Sequence, residues 1–556
     1  MPATEPTRID FQVDPSAYKH WDLLINGDVA TLKMSVDPDQ GLRNDYELKM
    51  NSYDLAVDIE LYDIVQRLRF EYPGVKTVVV TGGLDKIFCA GANIQMLASS
   101  THQHKVNFCK FTNETRNSIE DASAHSGQTW LAAVNGTAAG GGYELALACE
   151  EILLIDDRAS AVSLPEIPLL AVLPGTGGLT RLVDKRHVRR DLADAFATRT
   201  EGARAKQALS WGLVDAAAPG REFQALIDDR TAHYAALSDR PDGGTPVVLT
   251  PLDRVMGEDT VEYTNVGIKI DRRLGTAEIA VTGPSQPLPD TVADFEALGA
   301  QSWILATARE LDDAFLHLRF NETAIGTWIL QTRGSATNVL AAERMLSPEH
   351  DSWLVREARL YWARTLKRLD LSARSIIALI EPGSCFSGLL AELVLAADRS
   401  YMLDGTWEDS DIPAPAIELS DANTGWFAMS NGLSRMESRF WGRPDVLAAA
   451  TEVVGTSLDA AAAAEAELIT FEMDDIDWAD EIRVMLEERN SFSPDALTGM
   501  EANFRFVGPE TMETKIFARL SAWQNWIFQR PNAVGPAGAL QRFGTGSRPD
   551  FDQKRV

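Results

Sequence analysis

The chain has 556 residues, of which 52 are Lys or Arg and 81 are Asp or Glu, so its formal net charge is −29. This length excludes a single hydrophobic core and predicts two or three domains. The acidic balance excludes nucleic acid and anionic membrane surfaces as main partners.

The N-terminal segment and the cysteines indicate a cellular compartment. The N-terminus shows no basic segment followed by an apolar core, and the sequence contains no run of about 18 uncharged apolar residues. The four cysteines, Cys89, Cys109, Cys149 and Cys385, show neither a CxxC motif nor zinc-ligand spacing. We therefore expect a cytoplasmic protein with reduced thiols and no membrane partner.

Strands that alternate with helices predict the fold class. Three continuous apolar runs are typical of strands buried on both faces of a parallel sheet. They are VKTVVVTGG (75–83), WLAAVNG (130–136) and EILLIDD (151–157), and the alternating run VATLKMSV (29–36) precedes them. The segment 52–70 is predicted to be a helix, and the residues on its apolar face are Leu55, Ile59, Tyr62, Val65 and Leu68. The pattern predicts an α/β fold with a mostly parallel sheet.

Two segments of small residues predict one oxyanion hole. KIFCAGANIQML (86–97) contains Cys89-Ala90-Gly91-Ala92, and AAVNGTAAGGGYELALACEE (132–151) contains Gly140 to Gly142. Glycine costs about 1 kcal/mol relative to alanine in a helix, so three glycines at a helix start need a reason. Small residues let a ligand approach the backbone, and N–H groups at a helix start are unpaired at the positive end of its dipole. Two such donors that converge would stabilise a developing oxyanion.

These segments resemble the crotonase (enoyl-CoA hydratase/isomerase) superfamily. LPEIPLLAVLPGTGGLTRL (164–182) and ARAKQALSWGLV (203–214) extend the match in the same order, over roughly residues 20 to 250. The resemblance implies a spiral of (ββα)n turns and an acyl-CoA thioester substrate whose enolate is stabilised. It also implies backbone roles in the site: Ala92 and Gly141 as oxyanion donors, and Ala90, Gly91, Gly140 and Gly142 as substrate-binding positions.

Glu144 and Glu166 match the two carboxylates that handle water and protons in the hydratase branch of that superfamily. One carboxylate can deprotonate a water while the other orients it or delivers a proton, each worth about 10²–10⁴-fold in rate. The residues alone leave another interpretation open. Glu144 would then be a first-turn acid that stabilises a helix dipole, and Glu166 a solvated loop acid.

Other candidate residues carry two interpretations each. In the superfamily, the region around Cys109 closes over the acyl pocket, so its thiol is either a proton or hydrogen-bond donor or a small buried hydrophobic group. Lys49 matches a stretch that approaches the CoA phosphates, or it is a solvated lysine.

GTGG (175–178) lacks the strand–helix context of a nucleotide-binding loop and is predicted to be a turn. HQH (102–104) has no further ligand cluster, so we expect no metal site.

An internal repeat predicts the domain organisation. SIIALIEPGSCFSGLLAELVLAADRSYMLD (375–404) is similar to TWLAAVNGTAAGGGYELALACEEILLID (129–156). We predict a catalytic acyl-CoA domain over 1–250, a degenerate structural copy over 251–472, and a C-terminal helical region over 473–556 that ends in a mobile tail.

The copy is expected to have lost the catalytic equipment. Gly388-Leu389-Leu390 stands in place of the three glycines, and Glu392 aligns with Glu144. No second acid occupies the position of Glu166, so Glu392 is predicted to be structural. We expect the copy to serve assembly, in a homodimer.

The arrangement of a crotonase-like domain followed by a degenerate copy resembles that of superfamily members that open the ring of 2,3-epoxy- or 2,3-dihydrodiol-benzoyl-CoA. The resemblance implies a C–C bond-cleaving lyase that adds water and releases formate and an open-chain C6 aldehyde attached to CoA. We expect no metal, flavin or nicotinamide, because the reaction involves no net redox change and the sequence shows no such site. The CoA is carried by the substrate. The alternatives are an enoyl-CoA hydratase, which uses the same two glutamates, and a non-catalytic acyl-CoA-binding scaffold.

Overall fold

The structure is a computed structural model that describes residues 8–556 and divides into two compact units. Residues 10–251 form the first unit, and residues 252–556 together with residues 8 and 9 form the second unit. The first seven residues of the predicted first domain lie outside the described residues.

The strands of the first unit form a mostly parallel main sheet, a second sheet and a two-stranded pair. They are β1 (Trp21–Asn26), β2 (Val29–Met34), β3 (Ser52–Tyr53), β4 (Thr77–Gly82), β5 (Lys86–Cys89), β6 (Gly91–Ala92), β7 (Thr129–Val134), β8 (Gly136–Ala139), β9 (Glu151–Ile155), β10 (Ala161–Ser163), β11 (Ala203–Arg204) and β12 (Ala216–Ala218). The main sheet has the order β1-β2-β4-β7-β9-β12. Only the β1–β2 pairing in it is antiparallel. The continuous β-branched run Val78–Val80 is buried, as expected for a central strand covered on both faces.

The first unit also contains helices, some of which pack against the main sheet. They are α1 (Leu55–Phe70), α2 (Ile94–Ser99), α3 (His102–His125), α4 (Gly141–Ala148), α5 (Glu166–Leu170), α6 (Gly178–Thr180), α7 (Arg190–Ala197), α8 (Ala205–Ser210) and α9 (Gly220–Leu237). α1 begins after Asp54, whose carboxylate accepts a hydrogen bond from the Ala56 N–H at 2.9 Å. Four of the five residues on its predicted apolar face are buried, namely Leu55, Ile59, Val65 and Leu68.

A second sheet of the first unit, in the order β11-β10-β8-β5, positions the predicted site. β5, β8 and β10 run parallel to one another. β5 ends at Cys89, β8 at Ala139 and β10 at Ser163. Because the carboxyl ends of parallel strands meet at one sheet edge, the two glycine segments and Glu166 emerge together there.

The second unit contains the remaining elements. Its strands are β13 (Val255–Met256), β14 (Thr260–Glu262), β15 (Val266–Asp271), β16 (Thr276–Thr282), β17 (Thr327–Arg333), β18 (Ser375–Ile380), β19 (Arg399–Leu403), β20 (Ile417–Glu418), β21 (Ser457–Leu458) and β22 (Phe471–Met473). Its helices are α10 (Val292–Leu298), α11 (Trp303–Asn321), α12 (Ala336–Glu343), α13 (Trp353–Asp370), α14 (Ala391–Ala396), α15 (Arg435–Arg439), α16 (Pro444–Glu452), α17 (Ala460–Glu465), α18 (Trp478–Asn490), α19 (Pro494–Arg505), α20 (Met512–Thr514), α21 (Ser521–Ile527), α22 (Pro531–Val534) and α23 (Ala539–Arg542).

The main sheet of the second unit has the same internal plan as that of the first. Its order is β13-β14-β15-β16-β17-β18-β19-β22. An antiparallel β15–β16 hairpin is followed by parallel strands, as the β1–β2 hairpin is in the first unit. The two-stranded pair β20–β21 and a single bridge between Ser387 and Glu418 stand where the first unit has its second sheet.

The end of the chain is anchored, contrary to the expectation of a mobile tail. Arg555 is buried, donates to the Gly326 carbonyl at 2.8 Å and forms an ion pair with the buried Glu501. Arg489 donates to the same carboxylate at 2.9 Å. A buried carboxylate needs close counter-charges, and the tail supplies one of them.

No helix within residues 8–556 combines the length and the apolar character that a membrane span requires.

Candidate active site

Gly140 and Gly141 lie where no larger residue fits. Gly140 has a φ of +54°, and a Cβ on it would lie 2.7 Å from Glu166 Oε1. A Cβ on Gly141 would lie 2.0 Å from Tyr53 Oη. Gly141 is the first residue of α4, so its N–H has no acceptor within the helix and lies at the positive end of the helix dipole. The glycines therefore bring a backbone donor that the helix does not use close to a carboxyl group.

The first glycine segment contacts the second through Gly91. Gly91 has a φ of +90°, and a Cβ on it would lie 2.9 Å from the Gly141 nitrogen. The Asn93 N–H donates to the Tyr53 carbonyl at 2.8 Å, across the β3–β6 pairing. Successive N–H groups of a strand point to opposite sides, so the N–H of Ala92 points away from β3. The two predicted oxyanion donors thus belong to segments that touch.

Glu144 lies in the first turn of α4, and three donors hold its buried carboxylate. The N–H groups of Thr176 and Gly178 donate to Oε1 at 2.9 and 2.7 Å, and the Thr176 hydroxyl donates to Oε2. Residues 175–177 form a turn within the segment 175–178 that was predicted to be one, and α6 begins at Gly178; Gly177 has a φ of +91°. Sequence reasoning missed that this turn fixes the orientation of the Glu144 carboxylate.

Glu166 opens α5 just after β10. Its Oε2 is buried and has no hydrogen-bond partner among residues 8–556. Burial, and then the charge of Glu144, raise the pKa of Glu166 to about 7. A carboxyl group with a pKa near neutrality both gives and takes protons readily at physiological pH. The two glutamates are therefore close enough to interact and differ in environment, one held by donors and the other without a hydrogen bond on Oε2.

Cys109, on α3, lies beside the turn that holds Glu144. A Cβ on Gly175 would lie 3.4 Å from its Sγ. Burial raises the pKa of Cys109 to about 11. The side chain is therefore a neutral thiol at physiological pH, able to donate its S–H but not to act as a thiolate.

Lys49 and Ala90, which were predicted to bind substrate, interact with other groups of the protein. The Lys49 side chain is 72% exposed and forms an ion pair with Glu47 at 2.6 Å. The N–H of Ala90 donates to the Met50 carbonyl at 3.1 Å and is thereby used within the protein. Gly142, like Gly141, is confined, since a Cβ on it would lie 2.4 Å from the Cys89 carbonyl oxygen.

Sequence reasoning also missed Arg116, which is buried on α3. Its Nη2 donates to Tyr53 Oη at 3.1 Å and to the Gly141 carbonyl at 3.2 Å. A signal for it exists in the sequence, because a helix over this segment places Arg116 on one face with Phe108, Thr112 and Ile119. The helical register therefore places this charged residue beside the apolar Phe108 and Ile119.

The glycine turn of the site occurs again in the second unit, where a carboxyl group from a different element lies against it. Gly388 has a φ of +50°, close to that of Gly140, and a Cβ on it would lie 2.3 Å from Glu343 Oε2. Burial raises the pKa of Glu343 to about 7, while the nearby Ser420 hydroxyl and Leu389 N–H oppose this rise. Leu389 follows Gly388 as Gly141 follows Gly140, so the corresponding N–H lies beside a carboxyl group of the chain itself.

The surroundings of Glu392 include a second acid. Glu392 is buried and accepts hydrogen bonds from Asn423 at 2.8 Å and Arg435 at 3.0 Å. The charge of Glu392 contributes to the raised pKa of Glu343. Glu343 comes from α12 and not from the segment that aligns with Glu166, so alignment of the repeats did not reveal it.

Among residues 8–556, no three His, Cys, Asp or Glu side chains form a group that could hold a metal ion.

Comparison with known proteins places these features in a family. The Enoyl-CoA hydratase/isomerase family model matches residues 45–238. Fatty acid oxidation complex subunit alpha from Shewanella loihica is 34% identical over 258 residues, covering 46% of this chain and 34% of that protein. A solved enoyl-CoA hydratase from Geobacillus kaustophilus is 30% identical and covers 40% of this chain and 78% of its own, with a TM-score of 0.35. Benzoyl-CoA-dihydrodiol lyase from Aromatoleum evansii is 54% identical over 548 residues, which cover 99% of this chain and 98% of that protein. The chain therefore belongs to the benzoyl-CoA-dihydrodiol lyase family, within the crotonase superfamily.

Proposed function

We propose that the protein opens the ring of a 2,3-dihydrodiol of benzoyl-CoA, or of the 2,3-epoxide that yields the dihydrodiol on hydration, and that both ring C–C bonds of the carbon released as formate are cleaved. The observation that carries this proposal is identity over nearly the whole length to a benzoyl-CoA-dihydrodiol lyase. The first unit supports it with two glycine segments in contact and two adjacent carboxyl groups. The products are formate and an open-chain C6 aldehyde attached to CoA.

The thioester oxygen is bound between the N–H groups of Ala92 and Gly141. Polarisation of this carbonyl draws the electrons of the cleaved ring bond onto the thioester as an enolate. Loss of one such donor typically costs about 2.7–4 kcal/mol of transition-state stabilisation. Gly91 and Gly140 keep side chains out of this point of approach, and Gly142 lets α4 pack against the Cys89 backbone.

The two glutamates have different tasks in this reaction. Glu144 is held by Thr176 and Gly178 and orients the attacking water as a fixed carboxylate. Glu166, with a pKa near 7, takes a proton from that water and returns one to the enolate carbon. The Cys109 thiol, neutral at this pH, donates a hydrogen bond or a proton on the same side of the pocket.

The second unit is a degenerate copy of the first, and the helices that follow residue 472 complete it. The shared order of hairpin and parallel strands and the common turn at Gly140 and Gly388 support this. The copy serves assembly, and the protein acts as a cytoplasmic homodimer. It needs no cofactor besides the CoA of its substrate, whose phosphates Lys49 contacts.

Product analysis tests the function. The protein, treated with a chelator, is given the 2,3-epoxide or the 2,3-dihydrodiol of benzoyl-CoA, and crotonyl-CoA in parallel. We expect one formate per CoA ester consumed and negligible hydration of crotonyl-CoA. A product that keeps all ring carbons, with rapid turnover of crotonyl-CoA, would identify an enoyl-CoA hydratase instead. Binding of both esters without turnover would identify a non-catalytic scaffold.

A further inference from the structure

We propose that Arg116 is a positioning residue of the oxyanion hole, whose buried guanidinium orients the Gly141 segment and supplies positive charge that the thioester enolate neutralises. This inference rests on the proposed function of the same site.

Arg116 ties the donor segment to the core of the first unit. Its side chain is 1% exposed, and Nη1 donates to the Thr112 carbonyl at 3.2 Å on its own helix. Nη2 is shared between the Gly141 carbonyl and Tyr53 Oη, at 3.2 and 3.1 Å. Tyr53 is the residue whose hydroxyl a Cβ on Gly141 would strike. The guanidinium therefore fixes the backbone on which the oxyanion donor lies without touching the substrate.

The positive charge of Arg116 has no close ion-pair partner, and the charges of Asp58 and Glu144 act on it from a greater distance. Asp58, its ion-pair partner, is 3.9 Å away and also accepts a hydrogen bond from the Thr112 hydroxyl. Arg116 Nε is buried and has no hydrogen-bond acceptor among residues 8–556. The guanidinium moreover lies at the N-terminal end of α4, where the helix dipole is also positive. Both sources of positive potential thus act at the position of the Gly141 N–H, and an enolate there would offset them in a medium of low dielectric constant.

A buried arginine in the second unit shows the opposite arrangement. Arg435 forms ion pairs with Asp370 at 2.7 Å and with Glu392 at 3.0 Å. Two carboxylates of the chain itself therefore neutralise Arg435. The looser pairing of Arg116 distinguishes the unit whose site faces a substrate.

A spectroscopic probe separates this electrostatic role from a purely structural one. The thioester of CoA with 4-dimethylaminocinnamic acid absorbs at longer wavelength when its carbonyl is polarised. The full-length protein is compared with Arg116→Gln, Asp58→Asn and Arg186→Gln. Arg186 is a matched control, because its guanidinium pairs with Asp215 and the Gly212 carbonyl of the same unit.

Compared with wild type, the red shift of the bound probe should be smaller in one variant and larger in another. Wild type and Arg186→Gln should give the same red shift on binding the probe. Arg116→Gln should lose most of it and release formate about 10- to 100-fold more slowly, below the effect of removing a direct donor. Asp58→Asn keeps an acceptor for Thr112 but removes the opposing charge, so its red shift should exceed that of wild type.

Each outcome bears on one proposal. A folded Arg116→Gln protein with the wild-type red shift and rate would overturn the role of Arg116 and leave the proposed function intact. If Arg116→Gln does not fold, Asp58→Asn decides, and a red shift equal to or smaller than that of wild type would overturn the role. A wild-type protein that binds the probe without any red shift would instead contradict the oxyanion hole itself.

Discussion

Replacement of Glu166 by Gln should stabilise the first unit above neutral pH while it removes turnover. The pKa of Glu166 is raised from 4.5 to about 7 in the folded protein. Between these two values the folded state binds more protons than the unfolded state, so the free energy of unfolding falls as pH rises. One pKa unit corresponds to about 1.4 kcal/mol. By pH 8.5 the free energy of unfolding of the wild type is therefore about 3 kcal/mol lower than that of a chain whose glutamate has an ordinary pKa.

Urea unfolding at two pH values measures this effect. Gln has no carboxyl group to ionise, so the stability difference between Glu166→Gln and wild type should grow by about 2 kcal/mol from pH 5.5 to pH 8.5. Formate release should fall by about 10²-fold or more, the usual contribution of a general acid or base.

The second unit offers a matched control for this prediction. Glu343 is likewise buried with a pKa raised to about 7. Glu343→Gln should therefore give a similar pH-dependent gain in stability with no loss of turnover. A difference between Glu166→Gln and wild type that does not change with pH would refute the assigned ionisation of Glu166. A Glu166→Gln rate above about a tenth of wild type would refute its role in proton transfer.

Three further substitutions test other parts of the structure. Gly141→Ala should reduce formate release by about 10²-fold or more, because its Cβ would meet Tyr53 Oη at 2.0 Å and displace the residue 141 N–H. A near-normal rate would show that the oxyanion binds elsewhere. Glu392→Gln should keep near-normal turnover, and it should lower the urea midpoint of unfolding because it weakens the ion pair with Arg435. A large loss of rate at unchanged stability would instead reveal a working site in the second unit. Arg555→Ala should lower the free energy of unfolding by about 3–5 kcal/mol in urea, as expected when a buried ion pair is broken, and wild-type stability would contradict the anchored C-terminus.

The main sheet and the glycine segments were predictable because local patterns determine them. Central strands such as 75–83 need apolar side chains on both faces, and this requirement is visible in a few consecutive residues. Gly91 and Gly140 adopt positive φ values that disfavour other residues, so the backbone requirement is also local. The resemblance to a known superfamily then assigned a purpose to segments that the structure brings into contact.

The groups that support the site were not predictable in the same way. The donors to Glu144 lie 32 and 34 residues further along the chain, and Arg116 precedes its Gly141 acceptor by 25 residues. Such contacts depend on how helices pack and leave no periodic signal. The anchored Arg555 was missed for the same reason, because its partner carboxylate is distant in sequence and the tail itself is polar.

The comparison of the two units explains how the same turn serves opposite purposes. In the first unit, Gly140 turns the chain beside Glu166 and the helix makes no use of the Gly141 N–H. In the second unit, the buried carboxyl group of Glu343 stands against Gly388 and beside the Leu389 N–H. A thioester oxygen could approach this N–H only if the carboxyl group moved away. We therefore expect the second unit to bind no thioester at this turn, and recovery of thioester binding would require removal of Glu343 as well as restoration of glycine at Leu389.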